Sequence, residues 1–315
     1  MLPALIVIAV LVALALVIRS RGRGEIVYAV SDAFPQWFVA VRFREGEARR
    51  SVALPIGVTL KWGASANFTF VGTGECHFDR FLLLSGSPRD SRLPIFLDPH
   101  VEDAYVARVR LTRPPVMMLG ALRLLNDIGL RRMPEGEVET DPSRMGARPD
   151  AMPTGESIAK LLSCPRDYQP AMVNFLRYRP RAVHDADGRP EESGRRAYSR
   201  YGLVALETVY RTGGRLVFFG RVEETLVEAK AGPMAGAWDD IGVMQYTEPK
   251  AILTMEQVSK YRDALKDRDA GLDATVIIAS TPDPGGGCGR AARGRARAGS
   301  GWPAGRTRRP RAAAR

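Results

Sequence analysis

Groups that bind metals or attack carbonyls are scarce in this chain. Its 315 residues include three cysteines (Cys76, Cys164, Cys288) and three histidines (His77, His100, His184), all far apart except Cys76 and His77. No C-x-x-C or mixed Cys/His ligand spacing occurs, which argues against a zinc site and a disulfide framework and fits a reducing compartment. G-x-S-x-G is absent, as are G-x-G-x-x-G and the P-loop, and Cys164 precedes a proline with no paired histidine. The expectation is therefore no metal and no cofactor, with the catalytic residues, if there are any, unknown.

Acidic charge is missing from one end. Nine arginines and no acid lie between Gly285 and Arg315, so of the net +11 only about +2 belongs to the rest of the chain. Residues 283–315 are rich in Arg, Gly and Ala and cannot build a core, so they read as a disordered tail. Their charge suits nucleic acid or anionic lipid, and their composition equally fits GC-rich sequence translated in another frame.

Leu2 to Ile18 contains no charge at all and is followed by Arg19, Arg21 and Arg23. Seventeen residues at about 1.5 Å each approach the thickness of a membrane core, so residues 1–23 predict a transmembrane helix with a basic stop. The arginines place the bulk of the chain in the cytoplasm by the positive-inside rule. The competing reading is a signal peptide that is cleaved on export.

Residues 24–134 alternate short β-branched and aromatic runs (EIVYAV, QWFVAVRF, SVALPIGVTLKW, NFTFV, DRFLLLSG, AYVARVRLT) with turn residues. They predict a β-rich unit of about six or seven strands. It ends in an amphipathic helix, where Pro115 suits the first helical position and Pro134 a stop. Arg123, Asn126, Asp127 and Arg131 form a polar stripe on that helix, which either packs on the β unit or lies at a membrane interface. Residues 135–154 have no periodicity and read as a linker.

The best-ordered stretch runs from Ala171 to Ser280. It reads as a strand at Ala171–Tyr178, a helix at Arg195–Arg211 stopped by Gly213 and Gly214, and a strand from Arg215 to Glu228. A strand at Ile241–Tyr246, a helix over about Pro249–Arg268 and a strand at Ala274–Ser280 follow. That βαββαβ order predicts an α+β fold with two helices on one face of a four-stranded antiparallel sheet, a ferredoxin-like domain over residues 155–282. The bare face must meet something, and a second copy is the economical answer.

The blocks VNFLRYRPRA, AYSRYG, GGRLVFFGRV, WDDIGVMQYTEP and YRDALKDRDAGL, in this order, resemble the bacterial family called domain of unknown function 1330, over about residues 153–282. The resemblance implies a dimeric α/β barrel, formed by a homodimer around a pocket; relatives in that superfamily include monooxygenases, decarboxylases and haem-handling enzymes.

Five residues are the candidates for a ligand site. Asn174 is a polar group in an apolar strand and needs a partner. Arg177 falls on the opposite face of the same strand and offers a guanidinium fork. Tyr198 and Tyr201 are neighbours on one helix face, and Trp238 either walls a pocket or plugs the sheet edge. Each has a plain packing reading beside the functional one. Glu223–Glu224 and Asp239–Asp240 read as solvated edges. Two functions stand: a membrane-anchored protein whose barrel binds, and conceivably transforms, a small partly apolar metabolite, or a non-catalytic dimerisation module presenting the β-rich unit at the membrane.

Overall fold

In the computed structural model, residues 2–46, 52–87, 99–131, 133, 148–184 and 191–284 are described. The Arg-rich tail from residue 285 onward, with Cys288 and its proposed binding to nucleic acid or lipid, lies outside them, as does most of the linker. The strands are β1 (Gln36–Phe43), β2 (Val58–Val71), β3 (Arg80–Gly86), β4 (Val101–Leu111), β5 (Ala171–Tyr178), β6 (Arg215–Val227), β7 (Asp240–Gln245) and β8 (Leu272–Pro282). All eight join one closed barrel in the order β1-β3-β2-β8-β5-β7-β6-β4, with every pairing antiparallel.

This corrects the expected fold class. The stretch from Ala171 onward is not a separate small ferredoxin-like domain behind a β unit; its sheet is half of a larger one. The first half runs β4-β1-β3-β2 around the barrel and the second runs β8-β5-β7-β6, the same order with the strands renumbered. Two seams join them, β2 to β8 (Ala64 opposite Pro282, Val71 opposite Ile277) and β4 to β6 (Val106 opposite Val227, Leu111 opposite Gly220). Closure removes the free edges that either four-stranded sheet would expose. The face expected to meet a second copy meets the chain's own first four strands.

Alternation along the strands fills the interior. Phe38, Trp62, Phe81 and Tyr105 from the first half meet Phe175, Phe218 and Trp238 from the second. Phe175 lies 5.6 Å from Phe38, 6.2 Å from Phe81, 6.0 Å from Tyr105 and 5.7 Å from Trp238 between ring centroids. Each buried aromatic of this kind stabilises by roughly 1.5–3 kcal/mol through area removed from water, with edge-to-face contacts adding to it. The barrel interior is a packed core.

Among the described residues the β unit has four strands, fewer than expected. VTLKW, the end of the first of two expected runs, and NFTFV merge into β2, and EIVYAV forms a helical turn, α2 (Ile26–Ala29). The N-terminal apolar run forms α1 (Leu2–Arg23), and α3 spans Val116–Asp127. Among the described residues no helix is long and apolar enough to cross a membrane, which overturns the expected single-pass anchor and the membrane location built on it. The apolar run ends at Ile18 and the last turn is basic, and α1 turns its C-terminal end to a protein surface instead. A Cβ on Gly120 of α3 would sit 1.8 Å from the Ile18 carbonyl oxygen, and one on Gly22 would sit 2.0 Å from that of Val116, so only glycine allows this crossing. The polar stripe of α3 is used for docking: Asp127 pairs with Arg21, Arg123 with the buried Glu25, and Arg131 with Glu207.

Helices cover the outer face of the second half. Helix α4 (Gly155–Leu162) is capped by Thr154, whose hydroxyl accepts from the Ser157 amide. Helix α5 (Gly194–Arg211) carries the β5–β6 crossover, is capped by Ser193 and stops before Gly213, whose φ of 81° suits a glycine. The expected second helix divides into a 3-10 segment, Pro249–Gln257, and α6 (Ser259–Gly271).

Candidate functional site

The ends of α5 and α6 meet backbone to backbone. A Cβ on Gly271 would lie 2.4 Å from the Gly194 oxygen and one on Gly194 would lie 2.4 Å from the Gly271 oxygen, while Arg179 bonds both glycines through its own amide and carbonyl. Away from this crossing the helices stand off β5 and β8. A cavity of about 80 Å³ opens there between the helices and the outer face of the sheet. Its apolar wall includes Phe70, Leu176, Ile252, Leu253 and Ile277, and its polar groups come from Asn174, Tyr198, Tyr201, Glu256, Tyr261, Arg268 and Thr275.

Three of the five expected site residues line this cavity. Asn174 projects from the outer face of β5, beside Met172 and Leu176. Its amide nitrogen donates to the carbonyl oxygens of Met172 (2.8 Å) and Gly242 (3.2 Å). Both neighbours only accept, so the NH2 group must be the one turned to them. The amide oxygen takes no hydrogen bond among the described residues. The Tyr201 and Tyr261 hydroxyls bond each other at 3.0 Å. The Tyr198 ring lies tilted between those of Tyr178 (5.2 Å) and Tyr201 (5.3 Å), and its hydroxyl has no hydrogen-bond partner among the described residues. Burial holds the phenols of Tyr198 and Tyr261 well above their ordinary range, so both stay protonated and act as hydrogen-bonding groups.

Arg177 and Trp238 belong elsewhere. Arg177 lies on the other face of β5, where its Nε donates to Asp273 at 2.6 Å and its guanidinium lies 5.8 Å from the Trp238 ring. Trp238 packs edge-on against Phe175 in the barrel interior and donates from Nε1 to the Met234 carbonyl at 2.9 Å. The position of Arg177 follows the period of two along β5, which carries Asn174 and Arg177 to opposite sides of the sheet.

Arg268, Tyr261, Glu256 and Thr275 were not expected as site residues. Arg268 is 7% exposed, with Nε and Nη2 on Asp269 Oδ1 at 2.9 and 2.8 Å and Nη2 also against Met152 Sδ at 2.9 Å. Its signal was available: Tyr261, Leu265 and Arg268 share one helical face by their spacing, an arginine in line with buried residues. Glu256 is the one carboxyl group among the described residues lining the cavity, and burial raises its pKa above the usual carboxylate value.

Asp239 and Asp240 are not a solvated edge. Asp240 is 2% exposed and accepts from the Tyr178 hydroxyl at 2.7 Å and from Arg195 Nη1 at 2.7 Å on both oxygens, while Asp239 accepts from the Tyr178 amide at 2.8 Å. This cluster clamps the end of β5 to α5 and β7. Desolvation raises the Asp240 pKa against the lowering effect of Arg195 and Tyr178.

No family model matches the chain, and no curated protein matches it. Two crystal structures of one protein are similar to it: that of methylated RPA0582 protein, at 34% identity, and that of the RPA0582 protein of unknown function from Rhodopseudomonas palustris, a structural genomics target, at 30%. Each likeness covers 42% of this chain and 95% of the other, with a TM-score of 0.37. At that score the likeness carries no argument about the fold or the site.

Proposed function

We propose that the protein binds a small, partly apolar molecule in the cavity beneath α5 and α6, using the barrel as a rigid scaffold. One observation carries this reading: the Tyr198 hydroxyl and the Asn174 amide oxygen both belong to cavity-lining residues, and neither has a partner among the described residues. Their neighbours Tyr201, Tyr261 and Arg268 are engaged with one another or with Asp269. Polar groups left over in a partly apolar recess are what a ligand's polar end satisfies.

The resemblance to the domain of unknown function 1330 family implied a pocket between sheets, a different place from this cavity, and it names no ligand. No reaction is part of the reading. The protonated phenols are poor bases, and Arg177, which the expected constellation included, lies across the sheet. The barrel interior, filled by seven aromatic side chains from both halves, favours a structural role for that space.

Mass spectrometry of small molecules released from protein purified under native conditions tests the proposal. A bound species is expected from the unaltered chain and is expected to be lost from Ile252→Trp, which fills the cavity from its partly exposed rim. Equal recovery from a folded Ile252→Trp protein would overturn the proposal.

A further inference from the structure

We infer that the ligand of this cavity is an uncharged small molecule carrying a hydroxyl donor next to a carbonyl acceptor, with short apolar arms: a hydroxycarbonyl compound rather than a carboxylate. The inference rests on the cavity being a binding site, and it adds the chemical class.

The first step is charge. Arg268 is the only cation among the described residues that line the cavity, and its guanidinium is already matched by Asp269 through two of its nitrogens. Both side chains are about one-tenth exposed, so the pair is little screened. Glu256 adds a carboxyl group to the same wall. An anion entering here would give up its hydration without finding an unmatched positive charge, which is unfavourable in a partly dry recess.

The second step is hydrogen bonding. The Asn174 amide oxygen is an acceptor only, and its orientation is fixed by the two carbonyls that hold its nitrogen. It calls for a donor on the ligand. A carboxylate has none, and neither does a simple ketone. The Tyr198 hydroxyl and Arg268 Nη1, which has no partner among the described residues, supply donors and call for an acceptor. A ligand with a hydroxyl beside a carbonyl answers both sides. Its alkyl groups then meet Leu176, Ile252, Leu253 and Ile277.

The third step is size. The cavity of about 80 Å³ holds more than one water, yet is well below the roughly 300 Å³ at which pockets for drug-sized molecules begin. A ligand of a few heavy atoms fits this volume; a nucleotide or a haem does not.

Three probes of matched size separate these requirements: 3-hydroxybutan-2-one, which is neutral with donor and acceptor; butane-2,3-dione, which has no donor; and lactate, which has a donor but is anionic. Binding is followed by NMR shift changes of the full chain and by titration. The hydroxyketone is expected to bind about ten-fold or more tightly than either other probe, and Tyr198→Phe, which removes a donor to the carbonyl that hydroxyketone and dione share, is expected to weaken both about five-fold and leave the preference between them in place. Tighter binding of lactate or the dione at the same residues would overturn the class while leaving the site standing. If none of the three, and no member of a broader fragment mixture, shifts Asn174, Tyr198 or Ile252, the binding site itself is overturned. Circular dichroism of Tyr198→Phe matching that of the unaltered protein is required for either comparison.

Discussion

The two halves of the barrel share a strand order but not a covering. In the second half, α5 and the α6 segment carry the crossovers and lie over the sheet. In the first, no helix is found among the described residues of the β1–β2 and β3–β4 connections, and Val52 and Leu54 pack against the apolar cluster that includes Trp37, Val39 and Leu84. The recess with converging polar groups lies over the second half. Helices that cross at a glycine pair and then diverge from a twisted sheet leave space along their length. On the proposed reading the halves divide the work: the interior between them supplies stability, and the helical layer on one side supplies the ligand site.

The comparison breaks if the halves fold independently. Phe175→Ala removes the ring that touches aromatics of both, and a loss of about 3–5 kcal/mol is expected in urea denaturation. The transition should be single and should coincide for Trp62, in the first half, and Trp238, in the second, each read in variants lacking the other tryptophans. Two separated transitions would mean that the seams β2–β8 and β4–β6 do not bind the halves into one unit.

The glycine crossing sharpens the same comparison from the helical side. Gly271→Ala places a methyl against the Gly194 carbonyl oxygen, and overpacking of that kind costs about 1–3 kcal/mol. Because the crossing sets the gap above β5 and β8, ligand binding should weaken as well. Gly202→Ala, in the interior of α5, is the control: nothing lies nearer than the Tyr198 ring at 4.0 Å, and replacing an interior helical glycine should stabilise by about 0.5–1 kcal/mol. Thermal denaturation of both variants checks the opposite signs.

The elements of the second half were legible because each carries a local signal: alternation in β5, a Ser193 cap and Gly213 stop around α5, and an apolar closing strand. What escaped was the long-range pairing. Nothing local tells Phe68 to Val71 that they will lie beside β8, so a second copy looked necessary where the chain itself returns. The apolar run of α1 was read by length and hydropathy alone, and the helix–helix crossing at Gly22 and Gly120 has no signature that distinguishes it from ordinary helical glycine. For the site, period-two logic separated Asn174 from Arg177 correctly, yet the two were still grouped. Arg268 went unnoticed because a charged residue near a helix end looks solvated until the helix is placed.

Finer effects belong to the layer of α5 and α6. The Tyr201–Tyr261 hydrogen bond joins the two helices, so Tyr201→Phe or Tyr261→Phe each leaves one hydroxyl unpaired, at about 1 kcal/mol. The double variant should cost less than the sum of the two, and a double-mutant cycle in urea measures the difference. Additive losses would show that the bond contributes nothing.

The smallest expected effect is on pH dependence, and it distinguishes the half that carries α5 and α6 from the other. Glu192 accepts both Arg200 Nη groups at 2.6 Å and pairs with His184 at 2.9 Å, and Arg200 also reaches Asp267 on α6. Arg200 first, then His184, holds the Glu192 carboxylate down at about 2, from the usual 4.5. A depressed carboxylate stabilises the fold above its unfolded value and loses that contribution as pH falls through the folded one. Between pH 4.5 and about 2, amide hydrogen exchange in α5 should therefore accelerate more than in β1 or β3, and Glu192→Gln should remove the excess. Equal acceleration in both halves would place the acid sensitivity in the shared barrel and not in the helical layer that roofs the cavity.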